Sequence, residues 1–401
     1  MRRILLPLAF VAAVIAAATA AYIVSAAAQE YDRFIAAGDA AAAADQPFQA
    51  LEAYSGAIAL RPDSMLAHLK RGMTYQRHDE LENALRDLRR ATELDPTATR
   101  PQELAGDVNM ALGRYDRAAA RYETFLTLDD SAPRIQYKLG LARYRGGQIA
   151  RAIKPLQDAV RLDKSLAAAH LLLGLCLREQ GHAARARASL ETAVLLEPGM
   201  IAPREALVPL YAAGAEKTRA IDQLEALVAL DPAKPARLVA LGRAYADAGR
   251  HEAAVLTLGR AVERFPDSSD VYAALGRVWL EAAEQRRDNV ALKKAVEALS
   301  TATRHSDATS NALTDLGRAY VLSGDMAAAE RAFRQAVEQL PIEPEAYFEL
   351  ATLAARTGRV QEGRQALARY VALTPESTRL PLTGVTRSLG RADLSSRRPR
   401  N

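Results

Sequence analysis

Two different patterns of apolar and polar positions follow one another along this chain. From Ile4 to Ala28 no charged residue interrupts the sequence, and Arg2 and Arg3 stand just before the run. From Tyr31 to Pro375 amphipathic stretches of 12 to 14 residues take over, their apolar positions returning at helical spacing. Turn signals part the stretches, among them Gly113-Arg114, Gly147-Gln148, Gly181-His182 and Gly249-Arg250. No strand-like alternation occurs, so the pattern predicts an all-α protein.

The stretches recur with a period of 34 residues. Glycine returns at Gly38, Gly72, Gly106, Gly140 and Gly174, and again at Gly242, Gly276 and Gly317. Twelve residues after most of these stands an alanine: Ala50, Ala84, Ala118, Ala152, Ala186, Ala254 and Ala329. Proline closes most copies, at Pro62, Pro96, Pro198, Pro232, Pro266, Pro341 and Pro375, while Tyr75, Tyr211, Tyr245, Trp279 and Tyr320 share a further offset. This resembles the tetratricopeptide repeat (TPR), with ten copies over residues 31–375. The resemblance implies an α-solenoid of about ten helix-turn-helix repeats, stacked as one right-handed superhelix with a concave groove lined by first helices. The physical reading agrees. Glycine and alanine remove bulk where two helices cross, and proline stops the second helix.

Three irregularities are visible. Repeat eight (269–309) carries seven extra residues between Gly276 and Ala295, about two helical turns, which predicts one added turn on each helix. Repeat six (201–234) has Val208 in place of the glycine and Pro209 inside its first helix, which predicts a kink. Pro155 stands in the second helix of repeat four, where neutral drift is the preferred reading.

Composition adds exclusions. The 401 residues are 49% hydrophobic and 25% charged, with a net charge of +5. The positive excess lies at the two ends, and residues 31–375 are neutral in sum, so the folded body offers no counterion-displacing stripe for nucleic acid. Cys176, the one cysteine, excludes an internal disulfide and reads as a buried, inert thiol. The six histidines show no ligand spacing, and no phosphate loop or nucleophile motif is present. A non-enzyme without metal or cofactor is expected.

Residues 1–28 read as a signal peptide or a signal anchor, since the strongly apolar part is short and small residues at Ala18, Ala20, Ala26 and Ala28 offer cleavage sites. Both readings place the array in the periplasm or cell envelope, with membrane association through residues 4–28 if the segment is kept. Residues 376–401, with six arginines and no periodicity, read as a disordered tail.

Family geometry makes the second, fifth, ninth, twelfth and thirteenth residues of a repeat groove-facing. In repeat four these are Arg134, Tyr137, Leu141, Tyr144 and Arg145, in the repeat with the largest net charge, +6. Arg178 adds to them from repeat five. Aromatic, aliphatic and arginine side chains on one face have the composition of a binding hot spot. Arg243, Arg277 and Arg318 share one offset in three successive repeats and suggest a cationic ladder. The implied function is a scaffold of the bacterial cell envelope that holds a partner protein or peptide in its groove. The alternative is an accessory subunit of a polysaccharide or cell-wall complex that recognises an anionic glycan.

Overall fold

The computed structural model describes residues 2–305, 308–341, 343–375, 377 and 379–389. Twenty helices pair into ten repeats. α1 (Arg2–Ala43) and α2 (Pro47–Leu60) form repeat one, α3 (Met65–Arg77) and α4 (Leu81–Leu94) repeat two. Repeats three and four are α5 (Thr99–Ala111) with α6 (Tyr115–Leu128), and α7 (Pro133–Arg145) with α8 (Ile149–Leu162). Repeats five and six are α9 (Ala167–Glu179) with α10 (Ala183–Leu196), and α11 (Ile201–Ala213) with α12 (Lys217–Leu230). Repeats seven and eight are α13 (Pro235–Asp247) with α14 (His251–Arg264), and α15 (Ser269–Arg286) with α16 (Asn289–Ala302). Repeats nine and ten are α17 (Ser310–Ser323) with α18 (Met326–Glu338), and α19 (Pro344–Arg356) with α20 (Val360–Leu373); a short α21 (Thr383–Ser388) follows.

Each pair is closed by one residue in the left-handed region, where a Cβ crowds the following carbonyl. Glycine takes this place six times, at φ between 69° and 87°. Asp45, Asp79, Ala215 and Arg287 hold it at φ of 52° to 62°. Within a pair, the first-helix glycine admits a large side chain sixteen residues on. A Cβ on Gly140 would lie 2.5 Å from Leu156 Cγ. Leu156, Tyr122 and Phe333 fill the equivalent gap in their repeats and are fully buried. Tyr122 keeps its hydroxyl satisfied by donating to Asp107 Oδ1 at 2.7 Å.

Successive repeats touch mainly through their neighbours, as expected of a solenoid. First helices also touch first helices, α13 with α15, α15 with α17 and α17 with α19, while second helices show no comparable contact among the described residues. First helices therefore line the tighter face. By its contacts the chain divides into two compact units, one up to Pro203 and one from Arg204.

The elbow of repeat eight grows on both helices. α15 has 18 residues against 13 in α13, and Ala295 is the seventh residue of α16 where Ala254 is the fourth of α14. α16 nevertheless keeps 14 residues, because it ends a turn early at Ala302. Ala282 and Ala283 pack on Ala291 to hold the longer elbow together. The helical backbone runs through both Pro155 in α8 and Pro209 in α11, and neither proline ends its helix.

The tail differs from expectation. From residue 379 it folds back on repeat ten: Leu380 N donates to Tyr370 Oη at 2.7 Å, and Val385 and Leu389 are buried. Arg364 clamps the Leu389 carbonyl with Nε at 3.1 Å and Nη2 at 2.9 Å. Room for Leu389 exists because Gly363 replaces the usual alanine; a Cβ there would meet Leu389 Cδ2 at 2.6 Å. Residues 390–401, the rest of the segment read as disordered, lie outside the described residues.

At the other end, the helical backbone of α1 continues from Arg2 into the first repeat. Most side chains between 2 and 21, which carry the export reading, lie outside the described residues. Among the described residues no helix is long and apolar enough to cross a membrane.

Candidate functional site

The thirteen-residue α7 opens with Pro133 at its first turn, which presets the backbone for the helix. Its buried side is Ile135, Leu139, Gly140 and Ala142. On the other side Arg134 and Arg145 are exposed, and Tyr137, Leu141 and Tyr144 are half-buried. The structure thus brings all five together on one helix face, and neither tyrosine is a core residue.

Their surroundings are specific. Burial pushes the pKa of Tyr137 up, against the pull of the Arg145 guanidinium. Burial also raises Tyr144, which donates to Glu179 Oε1 on α9 at 3.4 Å and feels Arg178 from the same helix. Arg178 is half-buried and stands near Tyr144 from repeat five. The two other positive charges of α7 are held by carboxylates. Lys138 reaches Glu103 at 2.7 Å and Asp107 at 2.8 Å, and Arg143 pairs with Glu123. Arg134, Arg145 and Arg178 have no ion pair among the described residues, which leaves three guanidiniums beside three half-open apolar and aromatic side chains.

The second group is not a cationic ladder. Arg243 is exposed and without an ion pair among the described residues. Arg277 Nε donates to Asp315 Oδ2 at 2.7 Å. Arg318 Nη2 donates to Glu284 Oε1 at 2.7 Å, and lies 3.6 Å from Asp315 and 3.8 Å from Glu349. The shared offset is real, but the positive column is cancelled by carboxylates at other offsets. Those carboxylates outnumber the arginines they hold. Burial lifts the pKa of Glu281, with Asp247 and Asp315 adding to the effect. Burial lifts Glu349 too, with Glu284 and Asp315 working in the same direction against Arg318. Asp315, Glu281 and Glu349 were missed in the sequence because an isolated acidic residue on a repeat helix carries no periodic signal.

Cys176 is fully buried, and burial pushes its thiol up to about 12, so no thiolate forms near neutral pH. No group of three or more metal-ligating side chains converges among the described residues.

A family profile described as tetratricopeptide repeat matches residues 35–99, 104–167, 149–200, 283–341 and 314–378, and a second of the same description matches 218–278. No curated protein matches the chain. Among solved structures, YrrB, described as a TPR protein with an unusual peptide-binding site, aligns at a TM-score of 0.43 and 24% identity over 47% of this chain and 98% of its own. A MamA protein aligns at 0.41 and 20% over 43% and 93%. Yeast Tom70 aligns at 0.44 and 11% over 91% and 94%. The profile matches span more than half of the sequence, and the chain belongs to the tetratricopeptide repeat family, whose arrays are protein-interaction scaffolds and generally not enzymes.

Proposed function

We propose that this chain is a non-catalytic scaffold of the bacterial cell envelope that holds a partner protein or peptide on the first-helix face of repeats four and five. The observation that carries this reading is the stripe on α7 and α9: Tyr137, Leu141 and Tyr144 half-open, flanked by Arg134, Arg145 and Arg178, which have no ion pair among the described residues. Half-open aromatic side chains beside arginines are what interface hot spots consist of, since they bury large area at low entropy cost. The envelope setting rests on the uncharged run from Ile4 to Ala28 behind Arg2 and Arg3. The alternative, recognition of an anionic glycan, gains nothing from Arg243, Arg277 and Arg318, because two of the three guanidiniums are held by carboxylates.

The test is capture from a membrane fraction with the wild-type chain and with the double variant Tyr137→Ala, Arg145→Ala. Loss of the captured partner with helicity and melting temperature nearly unchanged is the expected result. Retained capture with a lowered melting temperature would show that these side chains serve packing, and would remove the site.

A further inference from the structure

The second helices of repeats three to five carry charges of inverted sign at their two ends. Arg117, Arg151 and Arg185 each stand third in α6, α8 and α10, and Asp129, Asp163 and Glu197 are the C-caps of the same helices. Both sets recur with the period of 34 residues. Within each helix the two charges are 12 residues apart, about 18 Å along one axis. A helix has a positive pole at its N-terminus and a negative pole at its C-terminus, so acidic groups stabilise the first end and basic groups the second. These three helices do the reverse, and none of their N-caps supplies a side-chain hydrogen bond. A stabilising rule broken three times in register marks a surface kept for another purpose.

The six charges are not cancelled within the chain. None of them has an ion pair among the described residues, and Arg151 Nη1 donates to the uncharged Gln148 Oε1 at 3.4 Å. Asp129 Oδ1 accepts from Ser131 N and Oγ at 3.0 and 2.6 Å, and Asp163 Oδ1 accepts from Ser165 N and Oγ at 2.9 and 2.6 Å. Those bonds fix both carboxylates, hold their pKa values below the usual range, and use one oxygen of each. With neighbouring side chains included, residues 114–117, 148–151 and 182–185 carry a net +3, while residues 128–134, 162–168 and 196–202 carry a net −2. The polarity therefore survives its surroundings. Paired helices are antiparallel, so α6, α8 and α10 point the same way with α7 and α9 between them. One edge of these repeats is basic and the opposite edge acidic. Both rows hang on the same three helices, so one stacking sets the repeat-to-repeat spacing of both.

We infer that this chain associates with a second copy of itself edge to edge, the row Arg117, Arg151, Arg185 of one copy meeting the row Asp129, Asp163, Glu197 of the next. An anionic polymer or lipid surface would use the arginines and leave the acidic row idle. A second copy uses both, with matched order and spacing. The contact is heterologous, so each pair keeps one free edge of either sign and assembly is open-ended. It lies on second helices, apart from the α7 stripe, and neither reading depends on the other.

Sedimentation velocity of the full chain in a nonionic detergent tests it. The wild type is expected to sediment as at least a dimer at about 50 mM salt and as a monomer at about 500 mM, where screening shortens the reach of the charges. Arg117→Glu with Arg151→Glu and Arg185→Glu makes both edges acidic, and Asp129→Lys with Asp163→Lys and Glu197→Lys makes both basic. Each triple variant alone should stay monomeric at low salt, and an equal mixture of the two should associate again. The arginines are exposed, and their replacement by glutamate agrees with the helix poles, so that variant keeps the fold. A wild type that is monomeric at low salt, association that either triple variant retains, or a mixture that stays monomeric would each overturn the inference.

Discussion

Arg143 Nη1 on α7 donates to the backbone carbonyl of Arg151 on α8 at 2.8 Å. That carbonyl lies four residues before Pro155, whose ring nitrogen has no hydrogen to offer it. A side chain from the paired helix has taken over a bond the helix itself cannot make, and this explains how a proline sits inside α8 without ending it. Arg143→Ala is expected to cost about 1 kcal/mol. In a Pro155→Ala background the same change should cost much less, because an alanine at that position restores the amide. Chemical denaturation of the four proteins of the cycle measures the coupling, and equal costs in both backgrounds would dissociate the two residues.

Ala215 holds at φ 57° a turn position that six other repeats give to glycine. The left-handed conformation costs an ordinary side chain about 1 kcal/mol relative to glycine. Ala215→Gly should therefore stabilise the chain by roughly that amount, an unusual sign for a glycine substitution, whereas Gly181→Ala should destabilise it similarly. Melting curves that move the same way for both would contradict the account.

Much of this architecture is readable from one sequence because solenoid repeats encode the same packing problem ten times. Gly140 and Ala152 announce a close helix crossing, and the offset between Gly276 and Ala295 announces a longer elbow. What escaped reading lacks that redundancy. Asp315 neutralises Arg277 from the next repeat, so its effect appears only when two repeats are stacked. The fold-back of residues 379–389 has no period of its own, and its one trace was Gly363 standing where alanine recurs. The α7 stripe was legible as a set of offsets, while its half-open state depends on what α9 fails to cover.

Glu349 offers a pH-dependent test. Its folded pKa lies above the ordinary value, chiefly because of burial. For a carboxyl group raised in the folded state, ionisation counts against the fold at neutral pH. That cost falls away as pH drops through the folded pKa towards the unfolded value of about 4.3. Glu349→Gln should accordingly stabilise the protein at pH 7 by about 1 kcal/mol, an ordinary single-substitution effect, and the gain should vanish near pH 4. A loss of stability at pH 7 would mean that the 3.8 Å approach to Arg318 outweighs burial.

Export is tested by fusing alkaline phosphatase after Tyr31. Activity is expected, since the enzyme folds productively only outside the cytoplasm, where its disulfides form. An inactive phosphatase fusion beside a fluorescent cytoplasmic reporter fused at the same site would place the array inside instead. N-terminal sequencing of the purified chain separates a cleaved leader from a retained anchor.

Leu389, lodged in the gap left by Gly363, has a consequence for assembly. A solenoid grows by presenting one repeat's open face to the next, and nothing in nearest-neighbour stacking itself tells the polymer where to end. Here the terminal face is occupied by a segment of the same chain, covalently tethered and thus present at an effective concentration on the order of millimolar. A second copy reaching for that face must displace it. The segment therefore covers the open face of repeat ten against end-on stacking of another copy.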